Sequence, residues 1–73
     1  MSELHRPAAN VRAEMARRGI RQTLLAEHLG LSQAAVSRRV NGQTPFDVDE
    51  LIKVAALLGV PAASLLGDDV AAA

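Results

Sequence analysis

The sequence contains no cysteine, tryptophan or tyrosine, and its one aromatic residue is Phe46. The missing thiols exclude disulfide staples and thiolate metal sites, and His5 and His28 stand too far apart in the chain to suggest a zinc site. With aromatics so scarce, and an apolar set drawn mainly from Ala, Leu and Val, the composition favours packed helices over strands. No segment alternates over five residues with strand-forming types. The longest apolar stretch, Val54 to Leu66, is interrupted by Gly59, Pro61 and Ser64 and is too short to span a bilayer. Met1 to Ala9 lacks the apolar centre of a signal peptide. These absences lead us to expect a soluble intracellular protein with no membrane association.

Size sets a second limit. A chain of 73 residues makes one domain, and at this length roughly 60% of the unfolded surface is buried. An enclosed catalytic cleft between two lobes is therefore excluded. Neither Ser32 nor Ser37 has a His or Asp at a spacing that would make it a nucleophile. No carboxylate pair suggests acid–base work, and no glycine-rich phosphate loop suggests a nucleotide. The expectation is a non-enzyme with no cofactor and no metal. Disorder is excluded as well, because this much Leu and Val offsets chain entropy.

Excess charge is also missing, with eight basic against eight acidic residues. The balance conceals an asymmetry. Up to Pro45 there are seven arginines against Glu3, Glu14 and Glu27, a surplus of four positive charges. From Phe46 onward Lys53 faces five acidic residues, a surplus of four negative ones. Such a block pattern marks a nucleic-acid face beside an acidic remainder, or else a scatter of solvated charges.

Turn residues cut the chain into five pieces of helical length. The first runs from about Pro7 to Arg18, with Val11 and Met15 inward. A second, from Gln22 to Leu29, has Leu25 and Leu29 inward and Ala26 allowing close helix approach. Its cap position is Arg21, a poor capping residue. The third follows Ser32, a good N-cap, and runs from Gln33 to about Asn41. The fourth starts at a capping box, Asp47 with Glu50, beside a Phe46 to Leu51 staple. Val48, Leu51, Ile52, Ala55 and Leu58 fall on one side, and Val54 and Leu57 make the other side apolar too, so this helix is expected to be central, with both sides packed. Pro61 to Leu66 forms a short fifth helix, and 68–73 is a tail expected to fray.

The third helix concentrates the groups that carry function. At about 100° per residue, with Gln33 as origin, Ser37, Asn41, Ala34 and Arg38 fall between about 40° and 140°, while Val36 and Val40 fall near about 320° on the core side. Amide, hydroxyl, methyl and guanidinium groups on one face match what base edges and phosphates offer in a major groove. An ordinary polar outer face of a bundle helix has similar residues. The short turn Gly30-Leu31-Ser32 between the second and third helices, joined to local positive charge, favours the first reading.

The stretch Ile20 to Leu66 resembles the phage repressor and Cro-type helix-turn-helix family, the xenobiotic-response-element type. The residues that carry the likeness are Gln22, Leu25-Ala26, Leu29-Gly30, Leu31-Ser32-Gln33, Val36-Ser37-Arg38, Asn41-Gly42, Leu51, Ala55, Leu58-Gly59-Val60 and Leu65-Leu66. The resemblance implies an all-α, compact five-helix bundle like that of lambda repressor, with residues 1–67 (core 7–67) as the DNA-binding domain. It implies a sequence-specific transcription regulator, a repressor, that binds double-stranded DNA in the cytoplasm of a bacterial or phage-infected bacterial cell. Gln33, Ala34, Ser37 and Arg38 match base-reading positions; Gln22, Asn41 and Thr44 match phosphate contacts. Binding as a homodimer to a palindromic operator follows from the same likeness.

Two positions depart from the family pattern. Arg39 stands where many members place an apolar residue, so it is either swung out as an extra phosphate contact or laid beside the core with only its head exposed. Met15 and Val40 stand where some members place a buried Arg and Glu pair, which suggests a coordinated apolar swap in which the two touch. His28 is read as an exposed helix-end residue, with a phosphate contact as the other choice. Arg12, Arg17 and Arg18 either extend a phosphate track or solubilise the first helix. Leu57, Val60, Pro61, Ala62 and Leu65 are the expected self-association surface, because the fourth and fifth helices are more apolar than a small monomer can bury. The competing class is an antitoxin-like or adaptor module whose C-terminal third holds a protein partner while DNA contact is secondary.

Overall fold

Three glycine-apolar pairs, Gly19-Ile20, Gly30-Leu31 and Gly59-Val60, punctuate the chain, and each ends a helix in the same way. In a computed structural model, which describes residues 6–66, the helices are α1 (Arg6–Arg18), α2 (Gln22–Leu29), α3 (Gln33–Val40), α4 (Val48–Leu58) and α5 (Ala62–Leu66). The expected tail at 68–73 lies outside the described residues. At the end of α2, Gly30 takes φ 69°, a left-handed conformation that side chains resist. The Leu31 N–H then donates to the Ala26 carbonyl at 3.0 Å and the Gly30 N–H to that of Glu27 at 3.3 Å, a Schellman motif. The Ile20 and Val60 amides likewise donate back to the Met15 and Ala55 carbonyls at 2.9 and 3.0 Å. Each apolar residue after the glycine folds down against the core.

The core is a single cluster fed by every helix: Val11 and Met15, Leu25 and Ala26, Val36 and Val40, Leu51, Val54, Ala55 and Leu58, and Leu65. α1 packs on α3, α4 and α5, α2 on α3 and α4, and α4 on α5. Met15 and Val40 belong to this cluster and border one groove, so apolar packing occupies the place considered for an ion pair. Beside them an Arg12 Nη1–H donates to the Val40 carbonyl, setting a positive charge at the C-terminal, negative end of α3.

Two packing expectations require correction. On α4, Val48 and Ile52 are 72% and 53% exposed, whereas Val54 is fully buried. The helix is apolar nearly all round, so periodicity alone did not select its buried side; contacts with α1, α2 and α5 do. Leu65, expected on a self-association surface, is 0% exposed. α5 tucks under α1, where the Asn10 side-chain amide donates to the Leu65 carbonyl at 2.9 Å, and the Leu65 side chain fills the core.

Candidate nucleic-acid interface

The candidate surface is built on α3 and aimed by its start. Ser32, in extended conformation, accepts the Ala35 N–H on its Oγ at 3.1 Å, so α3 begins at a defined residue directly after the turn. Val36 and Val40 then face the core, and Gln33, Ala34 and Arg38 stand exposed on a different side. Ser37 is half-buried between them and accepts a hydrogen bond from the Asn41 side-chain amide at 3.3 Å. Asn41 closes the helix as its C-cap rather than forming its last turn. The Arg38 carbonyl accepts the Gln43 and Thr44 amides at 2.8 and 3.2 Å, which folds the following loop back against α3 and leaves Thr44 half-buried.

Gln22, at the first position of α2, lies on a groove of about 490 Å³ that it shares with Arg12, Met15, Ala16, Ile20, Arg21 and Val40. The groove brings the start of α2 beside the end of α3, so the phosphate candidate Gln22 is adjacent to α3 although 18 positions separate it from Val40. Arg21 caps α2 only by its backbone and makes no side-chain cap bond. The first amides of α2 keep their hydrogens directed outward, and such an end attracts anions.

Other cations are engaged internally. Arg17 pairs with Glu14 at 3.0 Å and Arg18 pairs with the other oxygen of the same carboxylate, so these two arginines are partly neutralised. Arg39 is neither swung to solvent nor free at its head. Its Nε–H donates to Glu50 Oε1 at 3.0 Å and its Nη1–H to the Ala35 carbonyl at 3.0 Å. The expected phosphate contact at Arg39 is thereby corrected: the guanidinium is occupied within the protein. Among the described residues Arg12, Arg21, Arg38 and Lys53 carry no ion pair, and of these Arg12 is bonded to the Val40 carbonyl. Sequence reading had treated Arg21 only as a weak cap; its position before Gln22 at an uncapped helix start was the available signal. His28 is exposed, and its Nε2 lies 3.0 Å from the Lys53 carbonyl, joining α2 to α4.

Of the expected self-association residues, Pro61 is exposed, Leu57, Val60 and Ala62 are half-buried, and Leu65 is in the core. No group of three or more His, Cys, Asp or Glu side chains able to hold a metal occurs among the described residues. None of the described helices is long and apolar enough to cross a membrane.

A family model described as helix-turn-helix matches residues 11–65, about three quarters of the chain. The chain belongs to the Cro and phage-repressor type of helix-turn-helix proteins. No curated protein and no solved structure gives a significant match. This helix-turn-helix protein is a DNA-binding transcription regulator of the xenobiotic-response-element type. Its helix pair, α2 and α3, lies wholly inside the matched span, as do α4 and all but the last residue of α5.

Proposed function

We propose that the protein is a sequence-specific repressor that inserts α3 into the major groove and binds a palindromic operator as a homodimer. The observation that carries this reading is the exposed row Gln33, Ala34 and Arg38, with Ser37 beside it, on a helix whose adjoining face is buried in the core by Val36 and Val40. Gln33 can pair with adenine through two hydrogen bonds, Arg38 with guanine, and Ala34 can touch a thymine methyl. Gln22 with the open start of α2 holds one phosphate, and Asn41 and Thr44 hold backbone on the other flank. Two copies related by a two-fold axis read half-sites about one helical turn apart, and occupancy of a promoter then blocks transcription. Leu57, Val60, Pro61 and Ala62 form the contact between copies in this reading.

Selection of bound sequences from random double-stranded DNA tests it directly. The expected product is a symmetric site occupied by two chains; recovery of no preferred sequence overturns base reading, and an asymmetric site bound by one chain overturns the dimer. On the selected site Arg38→Ala costs about 1–3 kcal/mol and relaxes preference at one base pair. Equal loss on selected and random DNA would instead make Arg38 a phosphate contact.

A second reading, a protein partner held by the C-terminal third, has one observation in its favour: Val48 and Ile52 lie exposed one turn apart on α4. If that reading holds, polar replacement of both removes partner binding and leaves the selected DNA site bound as before.

A further inference from the structure

Arg39 contributes nothing to the surface just described, yet it is among the most constrained charged groups in the fold. Its side chain and that of Glu50 are only 17% and 16% exposed. Glu50 is itself held at the start of α4: its Oε1 accepts the Asp47 N–H at 3.0 Å, and its own N–H donates to Asp47 Oδ1 at 2.7 Å. One carboxylate oxygen therefore serves both the capping box of α4 and the guanidinium of α3. α3 packs on α1 and α2, but its backbone makes no close approach to α4. The Arg39–Glu50 pair spans two helices whose backbones do not meet.

The position of Arg39 around α3 gives this span a purpose. With Gln33 as origin, Arg39 lies at about 240°, almost opposite the centre of the reading face at about 70°. A tie on that flank opposes roll of α3 about its own axis, which is the movement that would redirect Gln33, Ser37 and Arg38 together. Apolar burial on the core side holds the helix down without fixing direction, because hydrophobic contact is non-directional. A guanidinium bonded to two acceptors, one on its own helix and one on a preset carboxylate, does fix direction.

We propose that Arg39 is a positioning residue for base readout, setting the roll of α3 through Glu50 at the head of α4. The proposal rests on the DNA-reading role argued above for α3. Taking a half-buried ion pair out of water offsets much of its attraction, so its contribution is expected in orientation more than in stability.

The test uses the whole chain with Arg39→Met, which keeps the packing of the stem, and Glu50→Gln, which keeps the capping-box acceptor while removing the charge. Affinity for the selected site and for random DNA is measured across a salt series, and residual dipolar couplings of the free proteins report the orientation of α3 relative to α4. Arg39→Met is expected to lose about tenfold on the selected site, the scale of one base contact, and Glu50→Gln less, because its amide oxygen still accepts the Arg39 Nε–H without the charge; affinity for random DNA and the salt slope are retained in both. The double variant is expected to lose no more than Arg39→Met alone, because Glu50→Gln weakens the tie that Arg39→Met removes. The dipolar couplings are expected to show α3 rotated while α1, α2 and α4 keep their mutual orientation. Unchanged couplings overturn the proposal, as does a uniform loss with a salt slope reduced by about 0.9, which marks a lost phosphate contact. If the wild-type chain prefers no sequence, the reading of α3 falls, while the couplings still decide whether Arg39 orients the helix.

Discussion

The starts of α2 and α4 are opposite solutions to one problem. Both expose amides that lack intrahelical acceptors. At α4 the protein supplies the acceptors itself, through the reciprocal bonds of Asp47 and Glu50. At α2 it supplies none from a side chain, since the cap residue is Arg21. The closed start serves the fold; the open one borders the groove beside α3, with a cation and the amide of Gln22 next to it. In the proposed function a helix start left unfinished at such a place is completed by an anion from outside, a backbone phosphate of the bound DNA. On that reading local stability is given up where binding needs it and kept where it does not.

Three substitutions can break this contrast. The largest effect is expected from Asp47→Ala, which removes the cap of α4 and lowers stability by about 1–2 kcal/mol in denaturant titration. It also loosens Glu50, so a small drop in discrimination between selected and random DNA accompanies it. Arg21→Ser should do the reverse at α2: a side-chain cap is gained, worth about 0.5–1 kcal/mol of stability, while affinity falls on every sequence and the log–log salt slope shrinks by about 0.9. Stability and binding moving together in this variant would show that the open start has no role in binding. The smallest effect is expected from Gln22→Ala, a uniform weakening on all sequences of about 0.5 kcal/mol with unchanged unfolding. A sequence-selective loss there would place Gln22 among the base readers instead.

The end of α2, the start of α3 and both ends of α4 were legible because caps are local: Gly30, Ser32, Asp47 with Glu50, and Gly59 each announce a boundary within a few residues of it. The order of the helices and the outward row on α3 were legible for a related reason, since Val36 and Val40 leave only one side of a two-turn helix for polar groups. What was missed depended on partners distant in the chain. Val48 and Ile52 could be placed outside and Val54 inside only by knowing which helices surround α4. Leu65 entered the core because α5 docks on α1 at the other end of the chain. Arg39 looked like a spare cation, and nothing in its neighbourhood on α3 pointed to a carboxylate eleven residues on, across a loop and at a helix start already satisfied by its own box.

Met15 and Val40 belong to the apolar core, so the α1–α3 contact there is made without an ion pair, while Arg39 forms one at the edge of the core. The polar tie lies in the gap between α3 and α4, and Arg12 sets a charged group over the end of α3.

The docking of α5 has a consequence for how the molecule comes apart. Five residues cannot sustain a helix alone, and this one persists because Leu65 is sealed beneath α1 and joined to it through Asn10. The first and last described helices are thus a single cooperative unit: α5 cannot fray as an independent end, and its release uncovers the same cluster that holds α3 in place.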